Sequence, residues 1–212
     1  MTFDNYFHPH PNRHEARTPW RFKIGFMFVL AALVLAAFAP LCYAPGTILA
    51  RSTPPQSSGT RHMANRARQM LTLVNRDRED PANAAETHGR ARPLRWNEKL
   101  AAVALAHSHD MLRRHYFAHV DREGRTPTDR INAAGIQWRA LAENIAINRT
   151  ITAAEKDLMD EPRFQQNHRG NILNPAYTDI GIGIAQAPNG DLYITQDFAA
   201  IPPERGGVRS SQ

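Results

Sequence analysis

The stretch Gln166–Pro175, QNHRGNILNP, is followed by Tyr177–Gly183, YTDIGIG. The first part places the imidazole of His168 beside amide and guanidinium groups, and the second alternates apolar residues in the manner of a strand. A polar cluster therefore lies where a short helix gives way to a strand, which is typical of a functional site. On this stretch alone a second interpretation stays open, in which Arg169 and Asn171 satisfy loop backbone groups and His168 simply packs.

The net charge of the chain argues against a nucleic-acid partner. The 212 residues carry a formal charge of +6, but six basic and only two acidic residues precede residue 62. The N-terminal part therefore accounts for +4 and the remainder for only +2. A nearly neutral domain lacks the basic surface that binds phosphate backbones, so we expect no nucleic-acid binding.

The N-terminal part of the chain predicts export. Residues 1–21 are rich in Pro, His, Asn and Arg and predict a disordered cytosolic tail. Residues 22–44 are mostly apolar, and cations precede them, which is typical of either a signal peptide or a transmembrane signal anchor. The positive-inside rule puts the domain outside the cytoplasm, periplasmic or secreted, with residues 22–44 as its tether to the inner membrane if they are retained.

The rest of the chain predicts a linker, one domain and a short tail. Residues 45–62 form the linker, residues 63–202 the domain, and residues 203–212 a flexible tail. Cys42 is the only cysteine, so the domain contains no disulfide. The hydrophobic core alone must therefore stabilise its fold.

Apolar spacing predicts two long helices at the start of the domain. The first runs from Met63 to Pro81 at the latest, and residues 82–92 predict a loop. Asn97 can cap the second helix, which carries His107 and His109.

His107 and His109 are two residues apart, so their side chains cannot lie on the same face of the second helix. We expect His107 to pack in the interior and His109 and His115 to lie on the surface.

Two capping boxes and a hairpin signal complete the pattern. Thr126–Asp129 predicts a short helix over 127–134, and Thr152–Glu155 predicts the start of another helix that ends near Pro162. Apolar alternation on both sides of Asn189-Gly190 predicts a β-hairpin. Helices followed by a terminal hairpin indicate an α+β fold, with an antiparallel-rich sheet covered by helices.

Six motifs occur in an order that resembles a known family. They are Pro93–Leu100, PLRWNEKL; His109–Met111 with Phe117–His119, FAH; Ala142–Ala146, AENIA; Met159–Glu161, MDE; His168–Leu173, HRGNIL; and Tyr193–Phe198, YITQDF. In this order they resemble the bacterial branch of the CAP superfamily (cysteine-rich secretory, antigen 5 and pathogenesis-related proteins), also called SCP-like extracellular domains. The resemblance covers about residues 66 to 200.

The resemblance implies both the fold and a candidate site. CAP domains are three-layer α-β-α sandwiches. In this chain, the apolar segment 22–44 predicts one hydrophobic helix before such a domain. A central cleft in that family holds two His and two Glu side chains. By motif, these correspond to His119, Glu143, His168 and Glu161.

The second carboxylate of the cleft is open between two positions. The family often has a Trp three residues before this Glu. Leu158 stands at that place and points to Glu161, with Glu155 as the alternative. The resemblance also implies structural support for the cleft from three further residues, which are Asn144, Arg169 and Asn171.

Such a cluster supports more than one chemistry. His119 and His168 could bind zinc or another divalent metal, and Glu143 or Glu161 could act as a base toward a metal-bound water. Without metal, the same four groups could form a hydrogen-bonded network that holds a polar ligand or only stabilises the cleft. The sequence has no nucleophilic Ser elbow, reactive Cys or His-Glu-x-x-His motif.

Two functions follow as hypotheses. The first is an extracytoplasmic binding domain, secreted or membrane-anchored, for an extracellular or envelope ligand such as a lipid, peptide or glycan. The alternative is a metal-assisted, peptidase-like hydrolase of peptides or cell-envelope material. Without a recognised nucleophile, no catalytic residue is assigned beyond the candidates Glu143 and Glu161.

Overall fold

A computed structural model describes residues 58–203 and the backbone of residues 6–9. The helices are α1 (Ser58–Glu79), α2 (Ala84–Thr87), α3 (Glu98–Arg114), α4 (Pro127–Ala133), α5 (Ile151–Met159) and α6 (His168–Leu173). The strands are β1 (Tyr6–Pro9), β2 (Arg95–Trp96), β3 (Ala140–Asn148), β4 (Asp179–Gln186) and β5 (Leu192–Ala199).

The five strands form one sheet in the order β1-β3-β5-β4-β2. β5 lies at its centre and pairs antiparallel with β3 and with β4. The short β2 pairs parallel with β4, and β1 pairs antiparallel with the first half of β3. The predicted hairpin at Asn189-Gly190 is confirmed, since it joins β4 to β5.

Helices cover both faces of this sheet. One hydrophobic cluster joins α1, α5 and α6 to the strand residues Ala142, Ile182 and Ile194. A second cluster joins α3 and α4 to the opposite face through Leu141 and Ala199. The mixed helix-and-sheet class is as predicted, with one layer of helices on each side. The described members of both clusters lie between residues 63 and 201, so the domain contains its own core.

Two of the predicted helix starts agree with the structure. The Asn97 side chain accepts hydrogen bonds from the backbone N–H groups of Lys99 and Leu100 at the start of α3. Thr126 and Asp129 form the reciprocal capping box at the start of α4. These local signals succeed because both cap partners lie within four residues of each other.

Three boundaries differ from prediction. α1 begins at Ser58, so the last five residues of the predicted linker are helical. α2 adds one helical turn within the predicted loop.

α5 is capped by Thr150, whose Oγ accepts from Ala153 N–H at 3.1 Å, and not by the Thr152 box. The side chain of Glu155 cannot return to a Thr152 cap because it is buried against the sheet.

Most of the predicted N-terminal organisation lies outside the described residues. The segment 22–44, predicted as a signal peptide or membrane anchor, and most of the predicted tail and linker remain predictions. Within the predicted tail, Tyr6–Pro9 forms β1. Among the helices of the described residues, none has the length and apolar character needed to span a bilayer.

Two glycines of β4 allow α3 to lie directly on the sheet. A Cβ at Gly181 would come within 2.1 Å of the Ala101 nitrogen and the Leu100 carbonyl carbon. A Cβ at Gly183 would come equally close to the Leu105 nitrogen. Because the obstructing atoms are helix backbone, no rotamer change can relieve the overlap. The alternation of Gly with Ile in β4 therefore gives one face to the helix backbone and the other to the core.

Substitution of Gly181 by Ala should separate α3 from the sheet. We expect Gly181→Ala to lower the free energy of unfolding by roughly 3 kcal/mol, since overpacking against a backbone cannot be absorbed by side chains. Urea denaturation of the domain measures this. Gly59→Ala is the control, because no atom lies within 4 Å of a Cβ at that position. A Gly181 variant as stable as the control would contradict the close packing.

Candidate functional site

The first half of the site is built around the buried carboxylate of Glu143 on β3. Its Oε1 lies 2.7 Å from Nδ1 of His119, and its Oε2 accepts from Nη2 of Arg130 at 2.6 Å. Arg130, on α4, also donates to the backbone carbonyl of His119 at 2.8 Å. One guanidinium group therefore positions both the carboxylate and the loop that carries the histidine.

Asp197 and His107 complete this half. Asp197 stands opposite Glu143 on β5, and no donor among the described residues reaches either of its carboxyl oxygens. Nε2 of His107 lies 3.1 Å from the Ala118 carbonyl and 3.9 Å from Glu143. The expectation that His107 packs in the interior is correct as to burial, but the structure adds the ring to this polar cluster.

The protonation states in this half follow from burial and charge. Burial opposes ionisation of Glu143, but the His119 hydrogen bond and the Arg130 charge outweigh it, and the pKa of Glu143 is lowered. Burial, together with the negative charge of Glu143, raises the pKa of Asp197 well above its usual value. Burial also lowers the pKa of His107. The group therefore holds the Arg130–Glu143 ion pair beside an Asp197 and a His107 whose neutral forms are favoured by burial.

The second half of the site is built around His168, the first residue of α6. Glu161 accepts from the His168 backbone N–H through Oε2 at 2.7 Å, and its Oε1 lies 2.6 Å from the ring Nδ1. Of the two carboxylates predicted for this role, the structure places Glu161 against His168. One carboxylate thus fixes both the start of the helix and the orientation of the ring.

The predicted supporting residues tie α6 to its surroundings. Asn144 donates to the His168 carbonyl at 3.2 Å and accepts from Asn171 at 2.8 Å. Arg169 donates to Glu86 at 2.6 Å and to the Met159 carbonyl at 2.7 Å. The loop and the helix ends around His168 are therefore held by side-chain hydrogen bonds.

Glu155, the alternative second carboxylate, contacts Gln196 instead. Its Oε2 accepts from Gln196 Nε2 at 2.9 Å, and Gln196 in turn accepts from Asn144 at 3.0 Å. No donor among the described residues reaches Oε1 of Glu155. Burial raises the pKa of Glu155 to about 8, although the Gln196 hydrogen bond opposes this shift. Glu155 is therefore mainly protonated at neutral pH and joins the site only through an amide chain.

The two His–Glu pairs approach β3 from opposite faces. Glu143 and Asn144 are consecutive strand residues, so their side chains project to opposite sides of the sheet. Glu143 binds His119 in the layer of α3 and α4, whereas Asn144 binds the His168 carbonyl in the layer of α1, α5 and α6. The strand itself is the shared wall of the two half-sites.

The four side chains can be tested as ligands for the predicted divalent metal. In each pair the Nδ1–carboxylate contact favours a proton on Nδ1, which makes Nε2 the ligating nitrogen, as in many zinc sites. The two carboxylates are already engaged by these rings, by Arg130 and by the His168 backbone N–H. Among the described residues, no three His, Cys, Asp or Glu side chains are grouped to hold a metal. A metal held by His119 and His168, with Glu143 and Glu161 orienting their rings, therefore stays a prediction of the sequence.

Sequence reasoning missed three members of the site. Arg130 lies in none of the six motifs, Asp197 lies in the YITQDF motif without a role assigned to it, and the sequence predicts only packing for His107. The signal for Asp197 lies in strand register, because pairing of the AENIA and YITQDF motifs places it opposite Glu143.

Comparison with known proteins identifies the family. Residues 63–198, more than half of the chain, match the family model described as the cysteine-rich secretory protein family, CAP. The chain therefore belongs to this family, as the order of its motifs predicts.

Two relatives from Bacillus subtilis (strain 168) share this region. The uncharacterized membrane protein YlbC is 34% identical over 113 residues, which span 52% of this chain and 30% of the relative. The uncharacterized protein YkwD is 30% identical over 155 residues, which span 73% of this chain and 54% of the relative. The match thus covers about half or less of either relative.

Two solved structures share the fold. An extracellular protein containing an SCP domain from Bacillus anthracis str. Ames is 24% identical, with a TM-score of 0.54, over 69% of this chain and 45% of that one. An outer surface protein from Borrelia burgdorferi is 13% identical, also with a TM-score of 0.54, over 65% of this chain and 94% of that one.

The Arg130–Glu143 ion pair should be essential to the fold. Arg130→Met leaves a buried carboxylate without its cation, and breaking such a pair typically costs about 3 to 5 kcal/mol. We expect the urea midpoint of the variant to fall accordingly. Arg149→Gln is the matched control, since the Arg149 side chain of the Arg149–Asp191 pair is 70% exposed and such pairs contribute about 1 kcal/mol or less. Equal losses in both variants would contradict the assignment.

Glu155 should make the domain less stable as the pH rises. Its folded pKa lies above its unfolded value, so its contribution is fully present below about pH 4.5 and is lost as the pH rises toward 8. One pKa unit corresponds to about 1.4 kcal/mol, so the loss by pH 7 is on the order of 3 kcal/mol.

The variant Glu155→Gln isolates this effect because it keeps an oxygen for Gln196. We expect the stability difference between variant and wild type to grow in favour of the variant from pH 4.5 to 8, measured by urea denaturation across that range. A difference that does not change with pH would show that Glu155 is not buried in its neutral form.

Proposed function

We propose that this CAP-family chain is an extracytoplasmic binding domain whose ligand site comprises His119, Glu143, Glu161 and His168. The observation that carries the proposal is that a carboxylate contacts Nδ1 of each imidazole, at 2.7 and 2.6 Å. Rings held in this way present a fixed tautomer and orientation, which is the preorganisation that selective binding needs.

The location outside the cytoplasm has separate support. The apolar segment 22–44 is predicted to direct export, one relative is named a membrane protein, and two similar solved structures are called an extracellular protein and an outer surface protein. The proposal covers both secretion and retention by residues 22–44.

Binding is favoured over hydrolysis by the way the carboxylates are used. A general base must accept a proton from a water or a substrate. Glu143 already accepts from Arg130 and lies in contact with His119, and Glu161 accepts from the His168 N–H while its other oxygen contacts the ring. Hydrolysis therefore remains the alternative hypothesis of the sequence, and no contact in the described residues favours it.

Zinc ions alone provide a direct probe of this site. The proposal requires the Nε2 atoms of His119 and His168 to reach one ligand, and two imidazoles that do so should bind Zn²⁺. Titration calorimetry of the domain, residues 58–212, at neutral pH is expected to show one equivalent, lost in the double variant His119→Ala, His168→Ala. The control is His88→Asn, His115→Asn, because both residues are exposed and have positive φ, which Asn tolerates.

The outcomes separate the alternatives. Binding that is lost only in the His119, His168 variant supports a shared ligand site. No binding by the wild type, or binding lost in the control as well, would overturn a zinc site at these two rings and would leave the four side chains as a metal-free network.

A further inference from the structure

A shallow cleft lies beside α6 and is lined by none of the four His and Glu side chains of the proposed site. Its volume is about 230 Å³, and the residues that line it are Phe164, Gln165, Gln166, Gly170, Asn171 and Asn174. All six are uncharged, and four of them carry carboxamide groups. The first three belong to the loop before α6, and the others lie in α6 or cap its C-terminal end.

Phe164 is presented to solvent in an unfavourable backbone conformation. Its side chain is 72% exposed, the highest value among the exposed large apolar side chains of the described residues. Its φ of 58° lies in the left-handed region, which bulky residues rarely adopt. Such a conformation persists only where the surrounding structure imposes it, and positions of this kind cluster at ligand sites. The exposed ring is therefore a candidate ligand contact.

Contacts on two sides fix the backbone of the loop that carries Phe164. The Phe164 N–H donates to Oε2 of Glu86 at 3.2 Å, and the same carboxylate accepts from Arg169 at 2.6 Å. On the other side, the Gln165 carbonyl lies so close to α6 that a Cβ at Gly170 would come within 2.1 Å of its oxygen. The ring thus stands at the edge of the cleft before any ligand binds, which lowers the entropic cost of binding.

The carboxamides of the cleft differ in how firmly they are held. Asn171 is buried, and its Nδ2 donates to Oδ1 of Asn144 at 2.8 Å, which fixes its orientation. Gln165 and Gln166 are exposed on the loop. A carboxamide both donates and accepts hydrogen bonds, as a hydroxyl group does. The α6 wall can therefore orient a hydroxylated ligand, and the loop can adapt to it.

The lining of the cleft selects a class of ligand. Uncharged groups do not compensate the charge of a phosphate, a carboxylate or a metal ion. The face of the Phe164 ring is apolar and carries π-electron density, which attracts C–H groups stacked against it. A cleft smaller than the roughly 300 Å³ of common small-molecule pockets has room for a single ring. A pyranose combines an apolar C–H face with hydroxyl groups around its rim and so matches both the aromatic ring and the amides.

We infer that this cleft is a saccharide-binding site, in which one neutral pyranose ring stacks on Phe164 and its hydroxyl groups bond to the surrounding carboxamides. The site goes beyond the proposed ligand site, because it shares α6 with that site and uses none of its four His and Glu side chains. The proposed location outside the cytoplasm gives it access to extracellular and cell-envelope glycans.

Two β-linked trisaccharides, chitotriose and cellotriose, are the probes, because their equatorial substituents leave flat C–H faces. Each is titrated into the isotope-labelled domain, residues 58–212, and amide chemical shifts are recorded. At least one should give saturable shifts at the Gly170 and Asn171 backbone amides and at the side-chain amides of Gln165 and Gln166. A single stacked ring predicts a Kd on the order of 1 mM.

Substitutions of Phe164 test the stacking contact. Phe164→Asn removes the ring while Asn tolerates the positive φ, and it should weaken binding about tenfold, as expected for the loss of one aromatic contact. Phe164→Tyr keeps the ring and should bind like the wild type. Phe117→Ala is the matched control, because it removes another exposed Phe that does not line the cleft. It should change the affinity less than about threefold.

A variant of the loop amide gives a second test. Gln165→Ala keeps the backbone carbonyl that contacts α6 and should weaken binding by about threefold or more through the lost hydrogen bond. Unchanged affinity in this variant, no saturable shifts with either trisaccharide, or equal losses in Phe164→Asn and Phe117→Ala would overturn the inference. Equal shifts from adenosine would assign the ring to flat aromatic ligands and would also overturn it.

Failure here is distinguishable from failure of the proposed site. Zinc binding depends on His119 and His168, which do not line the cleft, so Phe164→Asn should leave it unchanged. Zinc binding without saccharide binding would reject the cleft as a saccharide site. Saccharide binding with the expected variant pattern would support the cleft whether or not zinc binds.

Discussion

The ion pair between Arg130 and Glu143 is the constraint on which the centre of this domain depends. A fully buried carboxylate is tolerated only when charges and hydrogen bonds replace water. Arg130 supplies the charge, and it also holds the loop of His119 through a backbone carbonyl. Burial and the charge of the ionised Glu143 raise the pKa of the neighbouring Asp197 well above its usual value. One guanidinium group thus fixes the position of a loop and the charge of a whole cluster.

The sheet transmits this constraint to the second half of the site. Glu143 and Asn144 are consecutive residues of β3, so their side chains point to opposite faces of the sheet and contact different helix layers. Asn144 continues into an amide chain through Gln196 to Glu155, and it also holds the His168 carbonyl. A displacement of β3 would therefore change the positions of both His119 and His168. Gly181 and Gly183 of β4 lie directly against the backbone of α3, and this close packing fixes the position of the sheet relative to the helix.

The sequence predicts the fold well because its signals are either local or ordered motifs. The Asn97 cap, the Thr126 capping box and the Asn189-Gly190 turn each involve partners a few residues apart. The start of α5 is missed because Thr150 and Thr152 are both plausible caps, and only the burial of Glu155 decides between them. Arg130 and Asp197 are missed for a different reason. Arg130 contacts Glu143 from 13 residues away, and Asp197 lies opposite Glu143 only through the register of β3 and β5. Neither contact can be predicted from the periodicity of the sequence.

The family takes its name from cysteines, yet residues 63–198 contain none. Three largely buried arginines connect distant parts of the chain by hydrogen bonds and ion pairs instead. Arg78 donates to the Ile172 carbonyl at 2.6 Å, Arg169 binds Glu86, and Arg130 joins α4 to β3. Such connections form as soon as the chain folds and need neither an oxidant nor a disulfide isomerase. The domain therefore keeps the same internal connections in reducing and oxidising surroundings, and its shape is independent of the redox state of the compartment that receives it.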